Sequence, residues 1–70
     1  MRDIKFAENL RYLRTSSNLT QEELAKQIGS SQKQISKWEI GLIEPNVYYL
    51  CMLADFFHVS IDFLVGREDI

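Results

Sequence analysis

The 70-residue chain has one cysteine, one histidine and one proline, and it has no long hydrophobic run. Cys51 alone cannot form an internal disulfide, and with His58 it supplies too few ligands for a metal site. No apolar stretch approaches the roughly 18–20 residues of a membrane span, and no secretory hydrophobic segment opens the sequence. These absences predict a cytoplasmic protein without a membrane partner, held together by side-chain packing.

Motifs for catalysis and for cofactor binding are lacking as well. The sequence has no cluster of histidine, cysteine and carboxylate residues, no glycine-rich phosphate loop and no Ser/His/Asp arrangement. We therefore expect no enzyme activity, no cofactor, no metal and no small-molecule ligand. Because 46% of the residues are apolar, the chain can fill one core, and we interpret residues 1–70 as a single domain. The sequence leaves open whether these residues are a whole protein.

The chain also lacks the excess of positive charge that is typical of nucleic-acid-binding proteins, since its net charge is -2. The charge is unevenly distributed. Residues 1–43 carry seven basic and five acidic side chains, a net of +2, whereas residues 44–70 carry one basic and five acidic side chains, a net of -4. Because the local field at one face matters more to a partner than the total, the basic part of the chain is compatible with a nucleic-acid partner.

What the sequence does contain is a series of helix signals, with no extended period-two alternation. Phe6, Leu10 and Leu13 form one apolar stripe, which predicts a helix from an N-cap at Asp3 to about Ser16. Near the other end, two further helices are predicted, each with its own N-cap. Asn46 caps a helix from Val47 to Phe57, and Ser60 caps a helix from Ile61 to Val65 that ends at Gly66.

Two short helices with a tight connection lie between these. Thr20 with Glu23 has the spacing of a capping box, and so does Ser31 with Gln34. Gly29 ends the first of the two helices, and the second runs to about residue 40. With the flanking helices, this predicts an all-α domain of five helices.

The short connection requires the two helices to cross steeply. A steep crossing needs a small residue at the contact, a turn residue that tolerates positive φ, and apolar anchors on the second helix. Ala25, Gly29, Ile35 and Trp38 fit these needs and form the predicted scaffold. The side chains then expected to project from the second helix are Gln32, Lys33, Ser36 and Lys37.

This projecting edge carries hydrogen-bonding groups and no carboxylate. Gln can pair with adenine through two hydrogen bonds, and Lys can donate to guanine, which suits the major groove of DNA. An ordinary solvated helix face is the competing interpretation, and the scaffold that turns the edge outward favours groove contact.

The runs LTQEELAKQIGSSQKQISKWEIG (residues 19–41), LADFF (53–57) and VSIDFLVG (59–66) resemble the lambda-repressor-like helix-turn-helix family of the Cro/C1 or Xre type. The resemblance covers about residues 4–66. It implies a compact five-helix DNA-binding domain with the helix-turn-helix motif at about residues 20–40. It also implies a small bacterial or phage transcriptional regulator, commonly dimeric on a palindromic operator, and we expect a repressor.

The resemblance also implies individual roles. The positions that match base-reading residues of the family are Gln32, Lys33 and Ser36. The positions that match phosphate-contacting residues are Gln21, Ser31, Lys37 and Arg14. The chain departs from the family pattern in the loop at residues 42–44, which is apolar and acidic where many members are basic, so a backbone clamp is not expected there.

The surplus of apolar residues in the fourth helix has two interpretations. That helix can bury both faces within the monomer, or its surplus can form a self-complementary patch that favours a homodimer. We expect the patch, formed by Tyr49, Met52, Phe56 and Phe63. We expect Cys51 to be a small core residue. An alternative function is a protein-interaction module, antitoxin-like or antirepressor-like, that uses the apolar surface of Tyr48, Tyr49 and Met52.

Overall fold

Five α-helices form the computed structural model, which describes residues 4–67. The helices are α1 (Phe6–Ser16), α2 (Gln21–Ile28), α3 (Gln32–Glu39), α4 (Val47–Phe57) and α5 (Ile61–Val65). The described range contains no strand, and the predicted five-helix, all-α class is confirmed. None of the helices described in residues 4–67 has the length and hydropathy of a membrane-spanning segment.

The predicted start of α1 is wrong. The helix begins at Phe6 with Lys5 at its N-cap position, and Lys5 makes no side-chain capping bond. Asp3, the predicted N-cap, lies outside the described residues. The backbone N–H of Lys5 donates to the carbonyl of Val65 at 3.2 Å. The chain before α1 is therefore tied to the end of α5, a contact that no local pattern in the sequence encodes.

The two predicted capping boxes have different outcomes. The first is complete: the Glu23 N–H donates to Thr20 Oγ1 at 3.0 Å, and the Thr20 N–H donates to Glu23 Oε1 at 2.8 Å. In the second, the Gln34 N–H donates to Ser31 Oγ at 3.1 Å. The Gln34 side chain, however, accepts from Ser30 Oγ at 2.6 Å. The second box is thus only half formed, because the Gln34 side chain is bonded to the hydroxyl of Ser30.

Trp38 lies at the centre of the core and is fully buried. Phe6 packs edge-on against it with ring centroids 6.2 Å apart, and Tyr49 lies at 5.3 Å. Burying a large apolar side chain stabilises a fold by about 1.5–3 kcal/mol, so this cluster holds α3 firmly against α1 and α4. The buried apolar residues come from all five helices: Phe6, Leu10, Leu24, Ala25, Ile28, Ile35, Trp38, Leu53, Ala54 and Leu64.

The predicted dimer patch is partly used inside the monomer. Tyr49, Met52 and Phe56 are half-buried and pack against the core, and Phe63 of α5 is half-buried too. This packing favours the alternative in which α4 buries two faces within one chain. The homodimer interface stays a prediction.

Cys51 is exposed, so its predicted core position is wrong. It shares the outer side of α4 with Tyr48 and Asp55, which are also exposed. Residues 48, 51 and 55 are three and four positions apart, so they share one side of α4, away from the buried side that carries Leu53 and Ala54.

Candidate nucleic-acid interface

The turn between α2 and α3 depends on the backbone conformation of Gly29. This residue has φ +71°, in the left-handed region, and caps the end of α2. The Ser30 N–H donates back to the carbonyl of Ala25 at 2.9 Å, which completes the end of the helix. A Cβ at Gly29 would meet nothing within 4 Å. Glycine is therefore favoured at this position by the positive φ, and not because a larger side chain would lack space.

The other scaffold residues lie where a steep crossing needs them. Ala25 of α2 is buried, and Ile35 and Trp38 of α3 are fully buried. Because residues 35 and 38 share one side of α3, the opposite side of this helix is directed away from the core.

That opposite side is the predicted recognition edge. Gln32, Lys33 and Lys37 are exposed on it, and Ser36 is half-buried. Residues 32 and 36, and residues 33 and 37, are one helical turn apart, so the structure brings all four together along one edge of α3. Glu39, the acidic residue of this helix, is buried. The outer edge therefore presents donors and amide groups without an exposed carboxylate.

A chain of side-chain hydrogen bonds runs from this edge into the protein. Gln32 Nε2 donates to Gln21 Oε1 at 2.7 Å. Gln21 Nε2 in turn donates to Glu39 Oε1 at 3.0 Å. Gln21 thus braces the first residue of α3 against the first residue of α2, and the two helix starts are neighbours.

This series of hydrogen bonds ends at an ion pair between α1 and α3. Arg14 Nε donates to Glu39 Oε2 at 2.6 Å, and Arg14 Nη2 donates to Glu39 Oε1 at 2.9 Å. The third guanidinium nitrogen, Nη1, donates to the carbonyl of Leu19 at 2.8 Å. Hydrogen bonding to Glu39 raises the pKa of Arg14 above its ordinary value. The Arg14 guanidinium is directed inward, and this placement does not favour the phosphate contact predicted for it.

Glu39 is the residue of this hydrogen-bond network that the sequence analysis did not single out. It lies four residues after Ile35 and directly after Trp38, so it belongs to the buried side of α3. An acidic residue within an apolar stripe is a signal, since a buried carboxylate needs a partner. That partner, Arg14, lies 25 residues earlier, and the family resemblance predicts a phosphate contact for it instead.

The starts of the two helices differ in charge. α2 carries Glu22 and Glu23 in its first turn, whereas α3 carries no acidic residue in its first turn. The free backbone N–H groups at a helix start favour anions. An anion is therefore better accommodated at the start of α3, beside Ser31 and Lys33.

A family model described as helix-turn-helix matches residues 10–64. The chain belongs to the helix-turn-helix family. The predicted resemblance to the Cro/C1-type members of this helix-turn-helix family is confirmed.

Among curated relatives, the chain is 46% identical over 67 residues to the HTH-type transcriptional activator BcrR of Enterococcus faecalis, covering 96% of this chain and 33% of BcrR. It thus spans about a third of the length of that relative. It is 40% identical over 60 residues to the HTH-type transcriptional regulator MJ0272 of Methanocaldococcus jannaschii, covering 86% of this chain and 91% of MJ0272.

Among solved structures, the P22 c2 repressor in complex with a synthetic operator superposes on this chain with a TM-score of 0.85. The two are 32% identical, and the match covers 90% of this chain and 96% of the repressor chain. The predicted lambda-repressor-like fold is confirmed by this similarity.

Proposed function

We propose that this chain binds double-stranded DNA in a sequence-specific manner and regulates transcription, with α3 in the major groove. The observation that carries the proposal is the edge of α3, which exposes Gln32, Lys33 and Lys37 while its opposite side is fixed in the core. A rigid, outward-facing edge of donors and amides meets the geometric requirement for reading bases.

Roles within this edge follow from chemistry. Lys33 would donate to guanine O6 and N7, and Gln32 would pair with adenine through two hydrogen bonds. Ser36, being half-buried, would reach only a base or phosphate that approaches closely. Lys37 and Ser31 would contact phosphates, which set the register of the protein on the duplex.

Gln21 would position Gln32, and it stays a candidate for a phosphate contact as well. Its amide makes one bond to Gln32 and one to Glu39, which leaves a further N–H available.

Regulation is proposed from the relatives. BcrR is named as a transcriptional activator, and the P22 c2 protein is named as a repressor and is complexed with operator DNA. We propose repression for this chain, because a domain bound across a promoter blocks access of the polymerase without any further contact. Such a regulator acts in the cytoplasm, where bacterial DNA lies.

We further propose that two copies bind a palindromic operator. One eight-residue recognition helix contacts few base pairs, and a two-fold dimer doubles that number. The half-sites would then lie about 34–36 Å apart, one turn of the double helix.

The test is selection of bound duplexes from a random library, followed by titration of the enriched duplex at several salt concentrations. We expect an inverted repeat and an affinity that falls steeply with salt. Absence of any enriched sequence at low ionic strength would overturn the proposal, and it would favour the protein-interaction module instead.

A further inference from the structure

The hydrogen-bond chain beneath the recognition edge has a direction that its chemistry fixes. An ionised carboxylate only accepts hydrogen bonds, whereas a glutamine amide has one accepting end and one donating end. Glu39 is buried and ion-paired with Arg14, so the atom that Gln21 directs to it must be the amide nitrogen. The carbonyl end of Gln21 is then directed to Gln32, and the atom that Gln32 directs to Gln21 must again be nitrogen. Both bonds have this direction in the structure.

This direction determines which hydrogen-bonding groups of Gln32 remain free for a base. One of its two amide hydrogens is used on Gln21. The side chain keeps one N–H donor and its carbonyl acceptor for the groove. Adenine presents an acceptor at N7 and a donor at N6, which match that pair, whereas guanine presents two acceptors, N7 and O6. A Gln32 held in this way would place its carbonyl oxygen against guanine O6, and two acceptors do not bond.

We infer that Glu39 is a positioning residue for base specificity: its buried carboxylate, acting through Gln21, sets the direction of the Gln32 amide and makes Gln32 select adenine over guanine. This inference rests on the proposed DNA binding and goes beyond it, because Glu39 itself is buried away from the edge that would meet DNA.

The decisive substitution is Glu39→Gln. It keeps the shape of the side chain but replaces an acceptor-only group with one that has a donating end. Arg14 Nη2 bonds the same Glu39 oxygen as Gln21, and it loses this acceptor where the substituted amide turns its nitrogen to Gln21. In that orientation the amide donates to Gln21 Oε1, which would reverse both hydrogen bonds and direct the Gln32 amide nitrogen outward with both hydrogens free. Those two donors suit guanine. The direction of the Gln32 amide is then no longer enforced.

The experiment compares two duplexes that differ at one base pair. Library selection with Gln32→Ala identifies the base pair that Gln32 reads: it is the position at which this variant loses the base preference of the unaltered protein. Binding is measured on the enriched duplex with A·T or G·C at that position. For the unaltered protein we expect an adenine-over-guanine affinity ratio of roughly 5- to 150-fold, the range of one good bidentate contact. For Glu39→Gln we expect this ratio to fall severalfold.

Two further variants separate specificity from folding. Gln21→Met removes the side chain that connects Glu39 to Gln32 and leaves the Arg14–Glu39 pair intact. The adenine-over-guanine affinity ratio should therefore fall although the fold is kept. Arg14→Lys weakens the ion pair but keeps the carboxylate, so stability should fall and the ratio should not. Any uniform loss of DNA affinity cancels in the ratio.

A second readout needs no DNA. In the free protein, the side-chain amide protons of Gln32 should show the NMR shift of a hydrogen-bonded donor, and Gln21→Met should abolish it.

Each outcome has a definite meaning. An unchanged ratio in both Glu39→Gln and Gln21→Met overturns the inference, and so does a guanine preference at the Gln32 position in the unaltered protein. A ratio that falls equally in Arg14→Lys shows a structural role only and also overturns it. If no duplex is enriched at all, the proposed function fails and the inference fails with it.

Discussion

Arg14 and Glu39, 25 residues apart, form a two-bond ion pair in which Arg14 Nε lies 2.6 Å from Glu39 Oε2 and Nη2 lies 2.9 Å from Oε1. The two side chains are 14% and 3% exposed. The pair joins α1 to α3 and also receives the bond from Gln21. The Glu39 carboxylate therefore contacts both the arginine that joins α1 to α3 and the glutamine beneath the edge proposed to meet DNA.

The first prediction concerns this pair. Arg14→Met leaves the Glu39 carboxylate buried without its counter-ion, and we expect a loss of about 3–5 kcal/mol in the free energy of unfolding. Urea denaturation measures it. The double variant with Glu39→Met should lose less than Arg14→Met alone, since two apolar side chains leave no unpaired charge.

The matched control is Arg67→Met. Arg67 Nε lies 3.9 Å from Asp62 Oδ1, and both side chains are more than half exposed. Exposed pairs contribute little to stability, so we expect no measurable loss. If Arg14→Met and Arg67→Met lowered the free energy of unfolding equally little, a buried Glu39 without its counter-ion would not destabilise the fold as expected.

Most of the fold was predictable from sequence because its signals are local. Thr20, Ser31, Asn46 and Ser60 each accept the N–H three residues on, as their spacing predicts. The start of α1 was not predictable, because the Lys5 N–H contacts Val65 at the other end of the chain.

The candidate site was predictable to a similar extent. The exposed edge of α3 follows from helical period alone, since Ile35 and Trp38 fix which side is buried. The partners of Arg14 and Glu39 do not follow from period, because both contacts join helices that are distant in sequence. Helical period places Glu39 on the buried side of α3, but the residue that pairs with it is known only once the packing of α1 against α3 is known.

The second prediction concerns Gly66, which has φ +86°. A Cβ there would lie 2.9 Å from the Cβ of Lys5 and 3.3 Å from its backbone nitrogen. Gly66→Ala should therefore add a steric clash to the cost of a left-handed conformation, which is about 1–2 kcal/mol for a residue with a Cβ.

Gly29 and Gly41 provide the comparison, because both have positive φ and neither has an atom within 4 Å of the added Cβ. Gly29→Ala and Gly41→Ala should show the conformational cost alone, and Gly66→Ala should lower the thermal midpoint further. Equal shifts for all three would mean that the contact of Lys5 with α5 is not tight in solution.

The third prediction is a pH dependence. Hydrogen bonds from the Thr20 backbone and side chain lower the pKa of Glu23. A carboxyl group with a lowered pKa contributes stability that is present above the ordinary glutamate pKa and is lost as the pH falls through the lowered pKa. The stability difference between the unaltered protein and Glu23→Gln should therefore narrow on acidification.

Glu22→Gln is the control, because Glu22 lies in the same first turn and the cap uses Glu23. Chemical denaturation at a series of pH values gives both differences. A stability difference for Glu23→Gln that stays constant with pH would contradict the role assigned to the capping carboxylate.

The fourth prediction separates the two lysines of the recognition edge. Lys33 lies in the first turn of α3 and Lys37 one turn later, and both are exposed. If Lys33 reads a base, Lys33→Ala should cost about 1–3 kcal/mol on the enriched duplex and relax the preference at one position. If Lys37 contacts phosphate, Lys37→Ala should weaken binding to all duplexes alike and reduce the slope of log K against log salt by about 0.9.

The control is Arg67→Ala, which removes a cation after α5 and should change neither the base preference nor the salt slope. Titrations of the enriched duplex and of single-base variants at several salt concentrations measure both effects. A change of base preference in Lys37→Ala with none in Lys33→Ala would reverse the assignment, and it would place the base-reading part of α3 one turn further along the helix.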